Sequence, residues 1–292
     1  MKSRSFPPVL GDVLRRGAAR LEAGGVSSAR LDAELLLARA LGRDRAFLHR
    51  ERDGVVDPGS LEIYRKLIDR RRTGEPVAYI LGEKEFWSLD FFVSPAVLIP
   101  RPETEVLVEE ALRRFSGVSR PPLSFLDVGT GSGILAVVLA KLFPASRVAA
   151  SDISRDALPV AAKNARRHGV AGRVTFFLGD MLHPVRGPFD GIVSNPPYID
   201  AAEYGDLERD VRDFEPARAL LAGEGGTACH RALIEDGPRC LKPGGWLLME
   251  IGDGQGGLVR DLFERSGGYE GISVSRDYGG RERVAAARRK RG

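Results

Sequence analysis

Hydrophobic and polar positions along the chain follow two different periods. Through residues 1–75 the apolar side chains recur at helical spacing. Val9, Leu10, Val13, Leu14, Ala18 and Leu21 share one helical face, and Gly24-Gly25 stops that segment. Ser27 or Ser28 is placed to cap a second helix through Leu31, Leu35, Ala38 and Leu41, which Gly42 closes. Asp57-Pro58 pairs a capping residue with proline at the first helical position and opens a third helix that ends near Gly74. The expectation is a small helical bundle whose Leu/Ala stripes form its core. Between Glu75 and Pro100 the character changes. Residues 86–93 are aromatic and β-favouring, and predict a short hairpin between the bundle and the rest of the chain.

From about residue 105, strand-like and helical runs alternate, the pattern of a parallel α/β sheet. Strands are predicted at residues 124–128, 148–151, 174–178, 191–194, 245–251 and 272–275, with a last one at 283–287. Helical runs fall between them, among them 133–142 and 154–168. The expected division is a helical domain over 1–75, a linker with a hairpin over 76–104, and an α/β domain over 105–292.

Composition narrows the class without naming it. With 43% hydrophobic and 29% charged residues, the 292-residue chain reads as folded and water-soluble. No run approaches the ~18 apolar residues of a membrane span, and the first ten residues lack the apolar stretch of a secretory leader. Cys229 and Cys240 alone make no disulfide framework, and no Cys-x-x-Cys pair invites a metal. The expected setting is the reducing cytoplasm. The net charge of +4 hides an asymmetry. Residues 1–75 carry a net +5 and residues 281–292 another +5, whereas the stretch between them is net −6. A helical domain of that sign suits an acidic partner, with Arg70, Arg71 and Arg72 as the residues to reverse in a test. The final Arg288-Arg289-Lys290-Arg291 reads as a basic tail.

The chemistry lies at the ends of the predicted strands. The first ends in Asp127-Val128-Gly129-Thr130-Gly131-Ser132-Gly133, a turn where bare backbone can approach a ligand. Its spacing, Gly-x-Gly-x-Gly, departs from the dinucleotide fingerprint Gly-x-Gly-x-x-Gly. Asp127, two residues ahead of the first glycine, suits a cationic amine and would repel a pyrophosphate. Asp152 stands 19 residues beyond Gly133, where an acid can accept from ribose hydroxyls. Asp180 follows the third strand and can accept from an adenine amino group. Each aspartate alone is a common turn residue; three in this order favour an adenosyl ligand. The fourth strand ends in Asn195-Pro196-Pro197-Tyr198, where two prolines stop the ladder and fix the backbone. The Asn195 carboxamide and the Pro196 carbonyl then offer acceptors for a planar nitrogen nucleophile, and Tyr198 a face for a flat group. His49, His168, His183 and His230 lie outside these motifs and read as surface or helix-end residues, so no dedicated base stands out.

These residues resemble class I S-adenosylmethionine-dependent methyltransferases that act on nitrogen. Asn-Pro-Pro-Tyr is shared by adenine-N6 nucleic-acid methyltransferases and protein-glutamine N5-methyltransferases. Three further stretches resemble the release-factor glutamine methyltransferases (the PrmC/HemK family): residues 98–105, Leu-Ile-Pro-Arg-Pro-Glu-Thr-Glu; residues 74–82; and Glu215-Pro216-Ala217-Arg218-Ala219-Leu220. The helical amino-terminal domain resembles theirs as well. A related branch acts on a large-subunit ribosomal protein, and the Arg101-Pro102-Glu103-Thr104-Glu105 portion favours the release-factor branch. Residues 250–256 match less closely, and their role stays open.

The resemblance implies a Rossmann-like, seven-stranded, mostly parallel sheet and S-adenosyl-L-methionine as cofactor, with no metal. It implies methyl transfer to the glutamine side-chain nitrogen of a Gly-Gly-Gln motif in peptide chain release factors. Asn195, Pro196 and Tyr198 become the catalytic group. Asp127, Gly129, Thr130, Gly131, Gly133, Asp152, Asp180 and Asn195 become the cofactor site. Pro197, Arg101 and Glu103 join Asn195, Pro196 and Tyr198 toward the substrate. A monomer with no membrane or direct nucleic-acid substrate is expected. An adenine methyltransferase would need a basic, aromatic-bearing surface beside the crevice, and residues 76–280 are net acidic. A non-catalytic cofactor-binding protein would have lost Asn195 or the glycine turn, and neither is lost.

Overall fold

The computed structural model describes residues 8–117 and 122–291. The first seven residues, where a secretory leader would start, lie outside the described ones. The chain divides into two compact units, residues 1–82 with 208–214, and residues 83–207 with 215–292.

The first unit is helical: α1 (Leu10–Glu22), α2 (Ala29–Leu41), α3 (Arg45–Arg50), α4 (Pro58–Arg72), α5 (Val77–Leu81) and, much later in the chain, α9 (Arg209–Phe214). The predicted starts and stops hold for the three long helices. Asp57 accepts from Ser60 N at 2.9 Å ahead of Pro58, and Gly42 closes α2 in the left-handed conformation. At α2 the cap differs: the Ser28 hydroxyl donates to Asp32 Oδ2 (2.8 Å) and makes no bond to a backbone N–H. Leu10, Val13, Leu21, Leu36, Leu37 and Ile68 are buried together as the core. Of the arginine run, Arg70 and Arg72 are exposed and Arg71 turns inward. Arg71 is 6% exposed, with Nε 2.7 Å from Asp32 Oδ2 and Nη2 3.4 Å from Asp210, while Arg70 pairs with Glu75. Helical periodicity put Arg71 on the inward face, and its fixed charge found an acid there.

The second unit opens with a hairpin, β1 (Glu83–Phe86) and β2 (Leu89–Phe92), whose turn residues Trp87 and Ser88 both take positive φ. Next come α6 (Glu105–Phe115), β3 (Ser124–Val128), α7 (Ile134–Leu142), β4 (Arg147–Asp152), α8 (Ala157–Arg167), β5 (Val174–Leu178) and β6 (Phe189–Ser194). The chain ends with α10 (Ala228–Cys240), β7 (Leu241–Glu250), α11 (Gly256–Ser266), β8 (Tyr269–Arg276) and β9 (Glu282–Arg289). The seven strands from β3 onward form one sheet in the order β5-β4-β3-β6-β7-β9-β8, parallel except for β9, which runs antiparallel to both neighbours.

Both faces of this sheet are buried, so alternation separates two cores instead of core from water. Phe125, Val193, Leu248, Val284 and Ala286 face the layer of α6, α7 and α8. Leu126, Val128, Ile192, Leu247, Met249 and Ala285 face the layer of α10 and α11. The basic tail proves shorter than predicted, because Arg288 and Arg289 belong to β9 and bond the carbonyls of Gly244 and Leu241. The chain runs outward from β3 to β5, then returns to β6 on the other side of β3. A crevice opens outside the carboxyl ends of the strands where that order reverses. Among the described residues, no helix is long and apolar enough to cross a membrane.

Candidate active site

The crevice is a cavity of about 350 Å³ within the second unit, lined by residues that follow β3, β4, β5 and β6. At the end of β3, Gly129 and Gly131 take positive φ, and a Cβ on either would project into open space. Bare backbone therefore faces the cavity. Gly133, also at positive φ, has a different reason: a Cβ there would meet Ala161 of α8 at 3.0 Å.

Asp127 lies beneath this turn, fully buried. Its Oδ2 accepts from the Thr130 hydroxyl (2.6 Å) and from Ala136 N (3.1 Å) in the first turn of α7, where a negative charge is favoured. Its Oδ1 is buried with no protein partner. Burial pushes the Asp127 carboxyl up to about 7, against those two hydrogen bonds. Asp152, at the end of β4, lines the cavity. One oxygen accepts from Gly131 N and the other from Ser154 N, both at 2.8 Å, which ties the loop after β4 to the glycine turn. Exposed Asp180 stands on the same wall with Met181 and Ile153.

The wall after β6 carries Asn195 and Pro197. Pro196 is buried between them. Tyr198 sends its hydroxyl to Glu250 Oε1 (3.3 Å), and burial with the neighbouring Glu250 charge raises the phenol well above its ordinary value. Asn195 Nδ2 donates to the Thr104 hydroxyl (3.1 Å), which in turn donates to Glu250 Oε2 (2.7 Å). Arg101 lines the cavity and pairs with buried Glu215, whose other oxygen accepts from Ile99 N at 2.9 Å. Glu103 is exposed in the short turn ahead of α6.

Sequence reasoning singled out neither Thr104 nor Glu250, and left the stretch after β7 open. That stretch holds Tyr198 from two sides. Glu250 takes its hydroxyl, and Gln255 Nε2 donates to its backbone carbonyl at 2.9 Å. One signal was present: an acid closing the apolar run Leu247-Leu248-Met249. His230 is a helix-end residue as read, but not a surface one. It is buried, with Nε2 2.8 Å from the Glu250 carbonyl oxygen, because the first turn of α10 packs against β7.

A glycine cradle open to the cavity, an unpartnered buried carboxylate oxygen beneath it, and acids after β4 and β5 suit an adenosyl ligand bearing a cationic centre. Together with the sheet order, they define a class I S-adenosylmethionine-dependent methyltransferase. Comparison with known proteins gives the family. Residues 12–82 match the PrmC N-terminal domain and residues 104–228 the methyltransferase small domain. A release factor glutamine methyltransferase from Nitratidesulfovibrio vulgaris is 44% identical over 283 residues, 96% of this chain and 95% of that one. The enzyme of the same name from Moorella thermoacetica is 44% identical over 282 residues, 96% of this chain and 97% of that one. The chain belongs to the release factor glutamine methyltransferase family. A crystal structure of a methyltransferase from Pyrococcus furiosus shares the fold at TM-score 0.52 and 20% identity, over 76% of this chain and 97% of that one.

Proposed function

We propose that this enzyme methylates the side-chain amide nitrogen of the glutamine in the Gly-Gly-Gln motif of peptide chain release factors. One observation carries the reading at the level of chemistry. Asn195 lines the cavity with its Nδ2 already committed to Thr104, so its Oδ1 is left to accept an N–H from an incoming planar amide. The names of the relatives support the choice of acceptor.

A carboxamide nitrogen shares its lone pair with its carbonyl and is a poor nucleophile. The protein helps by orientation and by placing acceptors where positive charge develops on that nitrogen. Asn195 Oδ1 and the Pro196 carbonyl take the two N–H groups, while Tyr198 and Pro197 confine the flat side chain. When bound, S-adenosylmethionine supplies a methyl group on a sulfonium sulfur. The N–C bond forms as the S–C bond breaks, and the nitrogen's surplus proton leaves to water. Asp152 serves ribose hydroxyls, Asp180 the adenine, and the 129–131 turn the methionine end, with Asp127 fixing that turn from below. Arg101 and Glu103 reach toward the protein substrate from the loop that Glu215 anchors. The helical unit docks the release factor in the cytoplasm.

Labelled S-adenosylmethionine, purified release factor and a competing duplex DNA in one tube test the reading. Label is expected in the release factor and is expected to vanish when the motif glutamine becomes alanine. Label in DNA, or in neither acceptor, sinks it.

A further inference from the structure

We infer that Thr104 and Glu250 are positioning residues that decide which end of the Asn195 carboxamide faces the substrate. The inference rests on the proposed function and adds two buried side chains that stand behind Asn195. Its basis is an unbroken chain of hydrogen bonds linking the end of β6, the turn before α6 and the end of β7. Asn195 Nδ2 meets Thr104 Oγ1 at 3.1 Å, Thr104 Oγ1 meets Glu250 Oε2 at 2.7 Å, and Tyr198 Oη meets Glu250 Oε1 at 3.3 Å. Thr104 and Glu250 are 0% and 1% exposed, so water does not compete for these bonds.

The direction of the chain follows from counting hydrogens. A threonine hydroxyl has one. Glu250 accepts at both oxygens, from the Tyr198 hydroxyl at Oε1 and from Thr104 at Oε2, so the short Oγ1–Oε2 bond uses the threonine hydrogen. Oγ1 is then left as an acceptor, and only the NH2 end of Asn195 can satisfy it. The carbonyl end, Oδ1, is thereby turned away from Thr104. Without the hydroxyl, nothing distinguishes the two ends of the carboxamide, and the flipped rotamer would set N–H donors against the N–H donors of the glutamine amide.

The surroundings hold Glu250 as the fixed end of this relay. Arg283 lies close by, its own guanidinium bound to Asp277 and the Ile251 carbonyl; Glu103 contributes an opposing negative charge; His230 holds the Glu250 backbone oxygen. Residues 104 and 250 are 146 positions apart in the chain, and joining them ties the loop before α6 to the end of β7.

The test is a set of substitutions read by steady-state kinetics with release factor as acceptor. Thr104→Val keeps shape and removes the relay. It is expected to lower kcat by about 30- to 100-fold while the dissociation constant of S-adenosylmethionine stays within about threefold. Thr104→Ser is expected to restore kcat to within about fivefold of wild type, a rescue that packing alone would not give. Glu250→Gln, which still offers Oε1 to Thr104, is expected to keep kcat within about tenfold. The decisive measurement is the double variant. Because Thr104 acts through Asn195, adding Thr104→Val to Asn195→Ala is expected to cost less than about threefold more. A Thr104→Val enzyme as fast as wild type, or a penalty that adds in full on Asn195→Ala, overturns the positioning role and leaves the functional reading standing. A wild-type enzyme that transfers no methyl to release factor overturns the functional reading instead.

Discussion

The helical unit and the methyl-transfer site bury acids in opposite ways. In the helical unit Asp32 meets Arg71 at 2.7 Å and Glu34 meets Arg45 at 2.6 Å. Burial alone would raise the Glu34 carboxyl, but the Arg45 hydrogen bond and charge more than offset it and hold it below the usual carboxylate range. In the methyltransferase unit Glu110 and Glu215 also have arginines. Asp127 and Glu250 are as deeply buried, yet among the described residues neither forms an ion pair. Their partners are hydroxyls and a backbone N–H, and burial pushes both carboxyls up to about 7. An acid neutralised by an arginine holds elements together. An acid left with hydroxyl partners costs stability near neutral pH, and its place beneath the glycine turn or behind Asn195 shows what that cost maintains.

This contrast can be broken experimentally. The largest effect is expected from Arg71→Ala, which strands Asp32 and removes a contact to Asp210. Unfolding in urea should show a loss of about 3–5 kcal/mol; a loss under about 1 kcal/mol would mean that pairing does not hold the helical unit. Next comes Glu250→Gln. The native carboxyl binds its proton up to about pH 7, whereas the unfolded one releases it near the ordinary 4.5. Between those values the native state holds the extra proton, so the contribution of this group is full at low pH and is lost as pH rises through 7. From pH 4.5 to 8, wild type is therefore expected to lose about 3 kcal/mol relative to Glu250→Gln. Parallel stability curves for the two proteins would refute the unpaired acid. The smallest effect is expected from Asp152→Asn, which keeps one acceptor oxygen and loses the charge. Calorimetry should show cofactor binding weakened about tenfold, near 1.4 kcal/mol; unchanged affinity would remove Asp152 from the cofactor site.

What could be read from the sequence depends on the range of the forces involved. The strands were legible because they are short β-favouring runs set between helical ones, and all seven lie where those runs predict. The three long helices were legible from apolar spacing and glycine stops, with Asp57-Pro58 marking the start of α4. Helices α10 and α11 carried weaker signals, since α10 contains Gly237 and Pro238 and α11 opens on two glycines. The glycine turn and the Asn195 wall were found because each is a contiguous motif. The Thr104–Glu250 bond was not, because nothing local encodes a contact across 146 residues. Arg71 was misplaced for a related reason: its neighbours Arg70 and Arg72 are exposed, and composition cannot tell which arginine of three turns inward.

The position of β9 sets a schedule for the enzyme's own birth. This strand supplies residues 282–289, yet it lies inside the sheet between β7 and β8. Val284 sits beside Glu250 in the ladder. Just beyond it, the Arg283 carbonyl accepts from Ile251 N and the Arg283 side chain donates to the Ile251 carbonyl. Until those residues have emerged from the ribosome, β7 keeps an open apolar edge and Glu250 lacks the Arg283 cation. A nascent chain can therefore assemble the glycine turn early but not the wall that holds Asn195. The surroundings of Glu250, the acid behind Asn195, are complete only once β9 has joined the sheet.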